Sequence, residues 1–369
     1  MKKILSVLLC FASSFGYSQK VEDFNEGINK NKLKNYQVDI DKHTRAIELN
    51  PNNSEAYNNR GYSKVRLKNY QGALADYNKA IQLDPKSGYN YNNRGFSKAM
   101  LKDYNGAIVD YSKAIEINPK HANAYYNRGY SKAYLKDYSG ALGDYNKTIE
   151  INPKHAKAYY NRGYSKSHLK DYPGAIADYS KAIELNPKNA YAYHQRGYLK
   201  AMFKDYTEAL ADYSKAIELN PVHANAYNNR GYAKVKLKDY SGAIADYNKG
   251  IDINPRNGYI YNNRGYAKVR LKDYPGAIAD YNKAIDINPR HASAYNNRGY
   301  AKAYQQDYKG AIVDFSKAID ISPKKGDFYF NRGNAKIKLQ QKESGCLDYK
   351  KAIELGDKKA MALMKTSCN

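Results

Sequence analysis

Tryptophan is absent from the 369 residues, and only three cysteines are present. Three cysteines allow a single intramolecular disulfide at most. Acidic residues are outnumbered, because 36 Asp and Glu face 61 Lys and Arg for a formal charge of +25. Such an excess fits nucleic acid, an anionic surface or an acidic partner. Because the basic residues are spread through the whole chain, an ordinary solvated surface explains them equally well. Tyrosine is the abundant side chain, with 41 copies.

The first residues have the pattern of an export leader. Two lysines precede an apolar run at residues 4–15, and Gly16 and Ser18 supply small residues before a cut after Ser18. The run is too short to span a bilayer, and no later stretch is apolar enough to form a transmembrane segment. Leu9 before Cys10 disfavours a lipoprotein signal. We therefore predict a signal peptide at residues 1–18 and a periplasmic or secreted protein, so no nucleic-acid partner is expected.

Proline recurs every 34 residues along the rest of the chain. This period divides the sequence into ten units, in which we number the positions 1 to 34 with proline at position 32. The units start at residues 20, 54, 88, 122, 156, 190, 224, 258, 292 and 326, and the array is predicted to cover residues 20–359.

Each unit is predicted to form two helices. The first covers about positions 1 to 14, and Asp or Asn at position 16, such as Asp103 and Asp239, caps the second. The proline at position 32 disfavours helical geometry in the residue before it, so the second helix ends there.

Glycine stands at position 8 of all ten units, from Gly27 to Gly333. A glycine in mid-helix costs about 1 kcal/mol relative to alanine. We expect the offsetting gain to be a close approach of the second helix, whose facing positions carry alanines such as Ala73 and Ala80. Tyrosines at positions 4, 17 and 24 would fill the surrounding space.

Position 7 is Arg and position 23 is Asp in nine units, and the first unit reverses the charges with Glu26 and Lys42. This pattern predicts a structural ion pair between the two helices of each repeat, which fixes helix register more than it adds stability. Examples are Arg60 with Asp76, Arg128 with Asp144 and Arg230 with Asp246.

These positions resemble the tetratricopeptide repeat family, through Gly at 8, Ala at 20, an aromatic residue at 24, Ala at 27 and Pro at 32. The copies depart from its signature with Tyr for Trp at 4, Arg for Leu at 7 and Lys for Tyr at 11, as in a common bacterial variant. The resemblance implies an all-α fold, a right-handed superhelical solenoid of ten helix-turn-helix repeats. It also implies that first helices line a concave groove that binds peptides or proteins, without catalysis.

Two positions of the first helix are the candidates for partner binding. Position 6 carries a side-chain amide in every unit, and position 9 is aromatic in eight. An asparagine series can hydrogen-bond an extended peptide backbone, as in the similar superhelix of O-GlcNAc transferases, and tyrosines offer rigid contact area. The predicted groove residues are Asn59, Asn93, Asn127, Asn161, Gln195, Asn229, Asn263, Asn297, Asn331, Tyr62, Tyr130, Tyr164, Tyr198, Tyr232, Tyr266 and Tyr300.

Both series have a structural alternative. The asparagines can serve packing between neighbouring first helices, and the tyrosines can belong partly to the core. Position 5 varies among Asn, Tyr, His and Phe, and position 13 among Arg, Met, Tyr, His and Lys. This variation encodes partner specificity or reflects drift.

No catalytic, metal or cofactor site is predicted. His121, His155, His223 and His291 recur at position 34, but repeats two helices apart at 8–10 Å per contact cannot share one ion. Lys at position 11 recurs in all ten units, which fits a stem packed on the helix better than a ligand site. No unit breaks the pattern with a Ser, Cys or His constellation.

The last unit weakens, since Gly356 and Asp357 replace the usual Asn-Pro. A capping helix is predicted within residues 357–369, covering the final apolar face. Cys10 leaves with the leader, and a helix hairpin turning near Gly356 would bring Cys346 and Cys368 to the same end. A disulfide or two free thiols are both compatible with this arrangement.

We therefore predict a non-enzymatic interaction scaffold that binds a polypeptide partner in its groove. The alternative is binding of a glycan or an anionic polymer of the cell envelope through tyrosine faces and lysine charge. Salt dependence separates the two, because polyanion binding falls steeply with ionic strength.

Overall fold

The computed structural model describes residues 30–368, with side chains from Asn35 onward. The predicted leader and most of the first helix of the first repeat lie outside these residues. The described part contains twenty helices and no strand, so the predicted all-α fold of repeated helix pairs is confirmed. No helix within it is long and apolar enough to cross a membrane.

The helices follow the 34-residue period, with first helices at even numbers and second helices at odd numbers from α2 to α19. They are α1 (Lys30–Leu49), α2 (Ser54–Arg66), α3 (Tyr70–Leu83), α4 (Gly88–Met100), α5 (Tyr104–Ile117), α6 (Ala122–Tyr134), α7 (Tyr138–Ile151), α8 (Ala156–His168), α9 (Tyr172–Leu185), α10 (Ala190–Met202), α11 (Tyr206–Leu219), α12 (Ala224–Lys236), α13 (Tyr240–Ile253), α14 (Gly258–Arg270), α15 (Tyr274–Ile287), α16 (Ala292–Tyr304), α17 (Tyr308–Ile321), α18 (Gly326–Lys338), α19 (Lys342–Glu354) and α20 (Lys358–Ser367).

The chain divides into two compact units, Met1–Ala192 and Tyr193–Asn369. In the first unit each helix from α1 to α9 packs against its neighbours in the chain, and in the second unit α11 to α20 do the same. Each unit is therefore a run of stacked helix pairs, in which most contacts link residues that are close in sequence.

The turn between the two helices of a repeat has a fixed design. Asp103 caps α5 by accepting a hydrogen bond of 2.8 Å from the backbone N–H of Gly106, and an equivalent Asp or Asn cap recurs in every repeat from the second to the ninth. The residue before the cap has a left-handed backbone, such as Lys102 with φ of 68°. Nine non-glycine residues take this conformation in the described part, which the cap and the packing of both helices must hold in place.

The core of each repeat forms where the two helices approach at position 8. A Cβ atom on Gly129 would lie 3.0 Å from Asp144 Cβ and 3.0 Å from Tyr145 Cε1, so any larger residue would push against these buried side chains. Tyr145 at position 24 is fully buried and packs with Ala141 and Ala158. Tyrosine at position 24, replaced by Phe315 in the ninth repeat, thus fills the centre of the repeats from the second to the tenth, as the spacing predicts.

The first repeat differs from the predicted helix pair. The segment Leu-Lys-Asn-Tyr-Gln forms a turn at residues 67–71 but lies inside the continuous helix α1 at residues 33–37. In the turn, Asn69 folds back to cap Gly72, and a Cβ on Gly72 would meet its amide at 2.8 Å. The first repeat has the β-branched Val38 at that position. Packing and the cap, rather than the pentapeptide, therefore decide between turn and helix.

Candidate functional site

The first helices of successive repeats touch one another within each unit, in the orders α2–α4–α6–α8 and α12–α14–α16–α18. Positions 2, 5, 6, 9, 12 and 13 share one side of each of these helices, because residues three and four apart are neighbours on a helix surface. We call this surface the first-helix face. It joins side chains that are 34 residues apart in sequence.

An arginine at position 7 holds the two helices of each repeat together. Arg128 contacts Asp144 through Nη2 at 2.6 Å and Nε at 3.0 Å, and Lys132 lies 2.8 Å from the other carboxylate oxygen. The Asp is buried, while both cations are about four-fifths covered. The same arrangement pairs Arg60 with Asp76 and Arg230 with Asp246.

The same arginine also links its repeat to the preceding one. Arg128 Nη1 donates to the hydroxyl of Ser112, at position 25 of the previous repeat, over 3.1 Å. Its guanidinium lies over the ring of Tyr125 with 5.6 Å between Cζ and the ring centre. Each carboxylate is therefore held by two cations, so the group of Arg, Asp and Lys in a repeat has a net charge of +1. The role of this group is structural. The ion pair between the lysine at position 11 and the Asp at position 23 was not predicted from the sequence, although both residues recur together.

The asparagines at positions 5 and 6 form a continuous chain of side-chain hydrogen bonds in the second unit, which we call the amide ladder. Each Asn at position 6 donates to position 5 of the preceding repeat, and each Asn at position 5 donates to the Asn beside it. The distances lie between 2.9 and 3.4 Å. In order, the members are Asn331, Asn296, Asn297, Asn262, Asn263, Asn228, Asn229 and His194.

A shorter version runs through the first unit. Asn127 donates to Asn92 over 3.2 Å, and Asn93 reaches Asn58 at 3.5 Å. Asn161 is buried and donates instead to the hydroxyl of Tyr126 at position 5. The predicted groove residues Asn59 and Gln195 lie half-buried on the same face.

The amide ladder changes the meaning of the asparagine series. Within the amide ladder an asparagine uses one donor and one acceptor in hydrogen bonds to its neighbours. An Asn side chain has two of each, so one donor and one acceptor remain. The series therefore fixes the register between repeats, which is the packing alternative, and leaves only part of its capacity for a ligand. Asn, Tyr and His at position 5 each pair with the amide at position 6 of the following repeat, whereas Phe330 has no side-chain acceptor.

The position 9 tyrosines differ in how much surface they expose. Tyr62, Tyr266 and Tyr300 are 49%, 42% and 41% exposed, whereas Tyr164 is only 8% exposed. The remaining three predicted tyrosines, Tyr130, Tyr198 and Tyr232, are half-buried. The exposed rings are concentrated at one end of the first unit and in the middle of the second.

Position 13 packs against the tyrosine at position 17 of the preceding repeat. Tyr134 stacks on Tyr104 with ring centres 4.0 Å apart, His168 stacks on Tyr138 at 4.3 Å, and Arg270 lies 5.3 Å over Tyr240. The aromatic and arginine side chains at this position each lie over a tyrosine ring. Sequence reasoning missed this contact, whose only signal is a constant tyrosine 30 residues before a flat or cationic side chain.

Three of the four position 34 histidines cap the first helices through their side chains, and His121 forms no such hydrogen bond. His155 Nδ1 accepts from the backbone N–H of Ala158 at 3.1 Å, and His223 and His291 do the same in their repeats. Burial lowers the pKa of His121, His155 and His291, and lowers that of His223 to about 4. These rings are therefore neutral at pH 7. Among the residues that the structure describes, no three His, Cys, Asp or Glu side chains are grouped to hold a metal ion.

The array ends on α20, which covers the last repeat. Ala360 is buried against Tyr349 and Ala352, and Met364 packs beside them. Cys346 in α19 and Cys368 at the end of α20 form a disulfide with their Cα atoms 5.8 Å apart. The bond ties the capping helix to the repeat that it covers.

These features define a protein of stacked helical repeats with an internally bonded first-helix face. Tetratricopeptide repeat profiles match residues 54–87, 122–155, 156–189, 179–211, 224–257, 292–325 and 326–355, and a TPR repeat profile matches residues 99–136, 204–238 and 265–303. The chain belongs to the tetratricopeptide repeat family, as its motifs indicate.

Two solved structures share the fold. A tetratricopeptide repeat protein from Parabacteroides merdae is 22% identical with a TM-score of 0.54, over 67% of this chain and 99% of its own. The Cut9–Hcn1 hetero-tetramer of APC/C is 14% identical with a TM-score of 0.56, over 86% of this chain and 76% of its own. YrrB, described as a TPR protein with an unusual peptide-binding site, is 26% identical with a TM-score of 0.44, over 48% and 92%. No curated protein matched the chain in a sequence comparison.

Proposed function

We propose that this chain is a non-enzymatic scaffold that binds an extended or partly folded polypeptide on its first-helix face. The observation that carries the proposal is the exposure of large aromatic rings on that face, at Tyr62, Tyr266 and Tyr300. A tyrosine loses little conformational entropy on binding and offers both an apolar ring and a hydroxyl. Rings that remain exposed on a framework with few other free groups are suited to a partner.

The framework beneath these rings is rigid for a physical reason. Arg–Asp–Lys groups fix each helix pair, and the amide ladder fixes one pair against the next. A face held in one geometry before binding loses less entropy when a partner arrives. This favours recognition of an extended segment that contacts several repeats in turn.

We also propose that the protein acts outside the cytoplasm. The basic and apolar pattern of residues 1–18 supports export. A disulfide between Cys346 and Cys368 suits an oxidising compartment.

The test is affinity capture from a cell-envelope or culture fraction with the immobilised chain lacking residues 1–18. Tyr266→Ala with Tyr300→Ala removes exposed rings from the first-helix face. The matched control is Val109→Ala with Val313→Ala, which removes apolar side chains that are 67% and 68% exposed on second helices. The proposal predicts that only the tyrosine variant loses the captured polypeptide while its circular dichroism stays unchanged. Equal capture by all three proteins contradicts it.

A further inference from the structure

In the second unit, the exposed tyrosines of the first-helix face surround two cations. Lys236 Nζ lies 5.0 Å from the ring centre of Tyr232, one helical turn before it in α12. Arg270 occupies the equivalent position 13 of α14 and lies over Tyr240. The phenol of Tyr240, followed by that of Tyr266, raises the pKa of Arg270. Aromatic rings, rather than carboxylates, therefore hold both cations in place.

These two cations differ from the other cations that recur at one position of the repeat. The lysines at position 11, such as Lys234 and Lys268, contact a buried Asp at 2.8 to 2.9 Å. Neither Lys236 nor Arg270 forms an ion pair with any residue that the structure describes. Positions 2, 5, 6, 9, 12 and 13 of α12, α14 and α16 carry no Asp or Glu. The face of these three helices therefore carries positive charge with no acidic side chain to balance it.

Exposed rings continue from the cations into the next repeat. Tyr300 and Tyr304 are 41% and 53% exposed, their hydroxyls lie 3.0 Å apart, and Tyr304 stacks on Tyr274. We call the group formed by Tyr232, Lys236, Tyr266, Arg270, Tyr300 and Tyr304 the cation–tyrosine patch. It combines apolar contact area with two charged donors at corresponding positions of adjacent repeats.

We propose that the cation–tyrosine patch binds an acidic, extended peptide segment, with carboxylates at Lys236 and Arg270 and neighbouring side chains on the tyrosine rings. This inference rests on the proposed function and names the class of its partner. A carboxylate forms short, charge-assisted hydrogen bonds with a guanidinium or an ammonium group. The contacts with tyrosine rings already order both cations before a peptide binds. Contacting helices lie about 8–10 Å apart. A peptide in the extended polyproline II conformation rises about 3.1 Å per residue with three residues per turn, so acidic residues three positions apart lie on one side of it and fit two adjacent repeats.

The experiment uses fluorescein-labelled 12-residue peptides and the full chain after residue 18. One peptide has Glu at every third position among Ala, Leu and Ser, a second has Gln and a third has Lys at those positions. The variant Lys236→Glu with Arg270→Glu reverses both charges. The matched control, Lys249→Glu with Lys283→Glu, makes the same change at exposed sites on second helices.

Anisotropy titrations are expected to show that the Glu peptide binds at least tenfold tighter than the Gln peptide. The preference should disappear in the Lys236→Glu/Arg270→Glu variant, remain in the control and weaken in 300 mM salt. Equal binding of the Glu and Gln peptides overturns the acidic preference but leaves the proposed function standing. Failure of all three peptides to bind, or binding of an oligomer of uronic acid in their place, also overturns the inference. The proposed function itself fails if the tyrosine variant of the capture experiment behaves like the parent chain.

Discussion

Two glycines of one repeat give opposite predictions for the same substitution. Gly129 in α6 faces the second helix, where an added Cβ would lie 3.0 Å from Asp144 Cβ and 3.0 Å from Tyr145 Cε1. Gly143 in α7 faces open space, with nothing within 4 Å. Alanine gains about 1 kcal/mol of helix propensity at either site. At Gly129 this gain meets an overpacking penalty of about 1–3 kcal/mol, because Asp144 and Tyr145 are buried and cannot move aside.

We therefore expect Gly143→Ala to stabilise its repeat by about 0.5–1 kcal/mol and Gly129→Ala to destabilise it by about 1 kcal/mol. Guanidinium unfolding followed by circular dichroism gives the sign. Hydrogen exchange of the α6 and α7 amides localises the effect, since repeats open in parts. If Gly129→Ala raises the midpoint as much as Gly143→Ala does, the close helix approach at position 8 is refuted.

Three further predictions concern the framework. Arg128→Ala should destabilise its repeat by about 2 kcal/mol, because it leaves Asp144 without its guanidinium partner. Adding Asp144→Ala to that variant should cost little further stability. If the losses of the two single variants sum to that of the double variant within about 0.5 kcal/mol, the two side chains are not coupled. The pKa of His223 falls from 6.5 in the unfolded chain to about 4 when folded, so the folded state binds fewer protons. His223 should therefore contribute a loss of on the order of 3 kcal/mol as the pH drops from 6.5 to 4, beside the losses from the other buried histidines. His223→Asn, with the amide that caps three other repeats, should remove that contribution in unfolding midpoints. Reduction of the Cys346–Cys368 bond should weaken the cap by roughly 3 kcal/mol and speed amide exchange in α20; two alkylatable thiols in unreduced protein would show that the bond is absent.

The fold could be predicted from the sequence because the same signals for the start and end of a helix recur from repeat to repeat. The prolines at position 32 and the caps at position 16 place each second helix, and the structure has it at positions 17 to 30. The left-handed residue at position 15 could not be predicted, since it is Lys or Gln where glycine would be the usual signal. The continuous helix α1 shows the same limit, because one pentapeptide forms both a helix and a turn.

The candidate site could be predicted only in part. The first-helix face follows from helical spacing alone. The hydrogen bonds from Asn263 to Asn228, and the contact of Arg270 with Tyr240, depend on how one repeat sits against the next. That register is set by packing and leaves no trace in local sequence. The sequence therefore left both peptide binding and packing between repeats open for the asparagines, and the structure adds the hydrogen bonds that link the repeats.

A photo-crosslinking side chain placed in one repeat tests the central claim most directly. Tyr300 lies on the first-helix face and Val313 on the second helix of the same repeat, and both are exposed. The account predicts that a benzophenone side chain at position 300 forms an adduct with the captured polypeptide and that one at position 313 does not. An adduct from position 313 alone, or equal adducts from both positions, would contradict it.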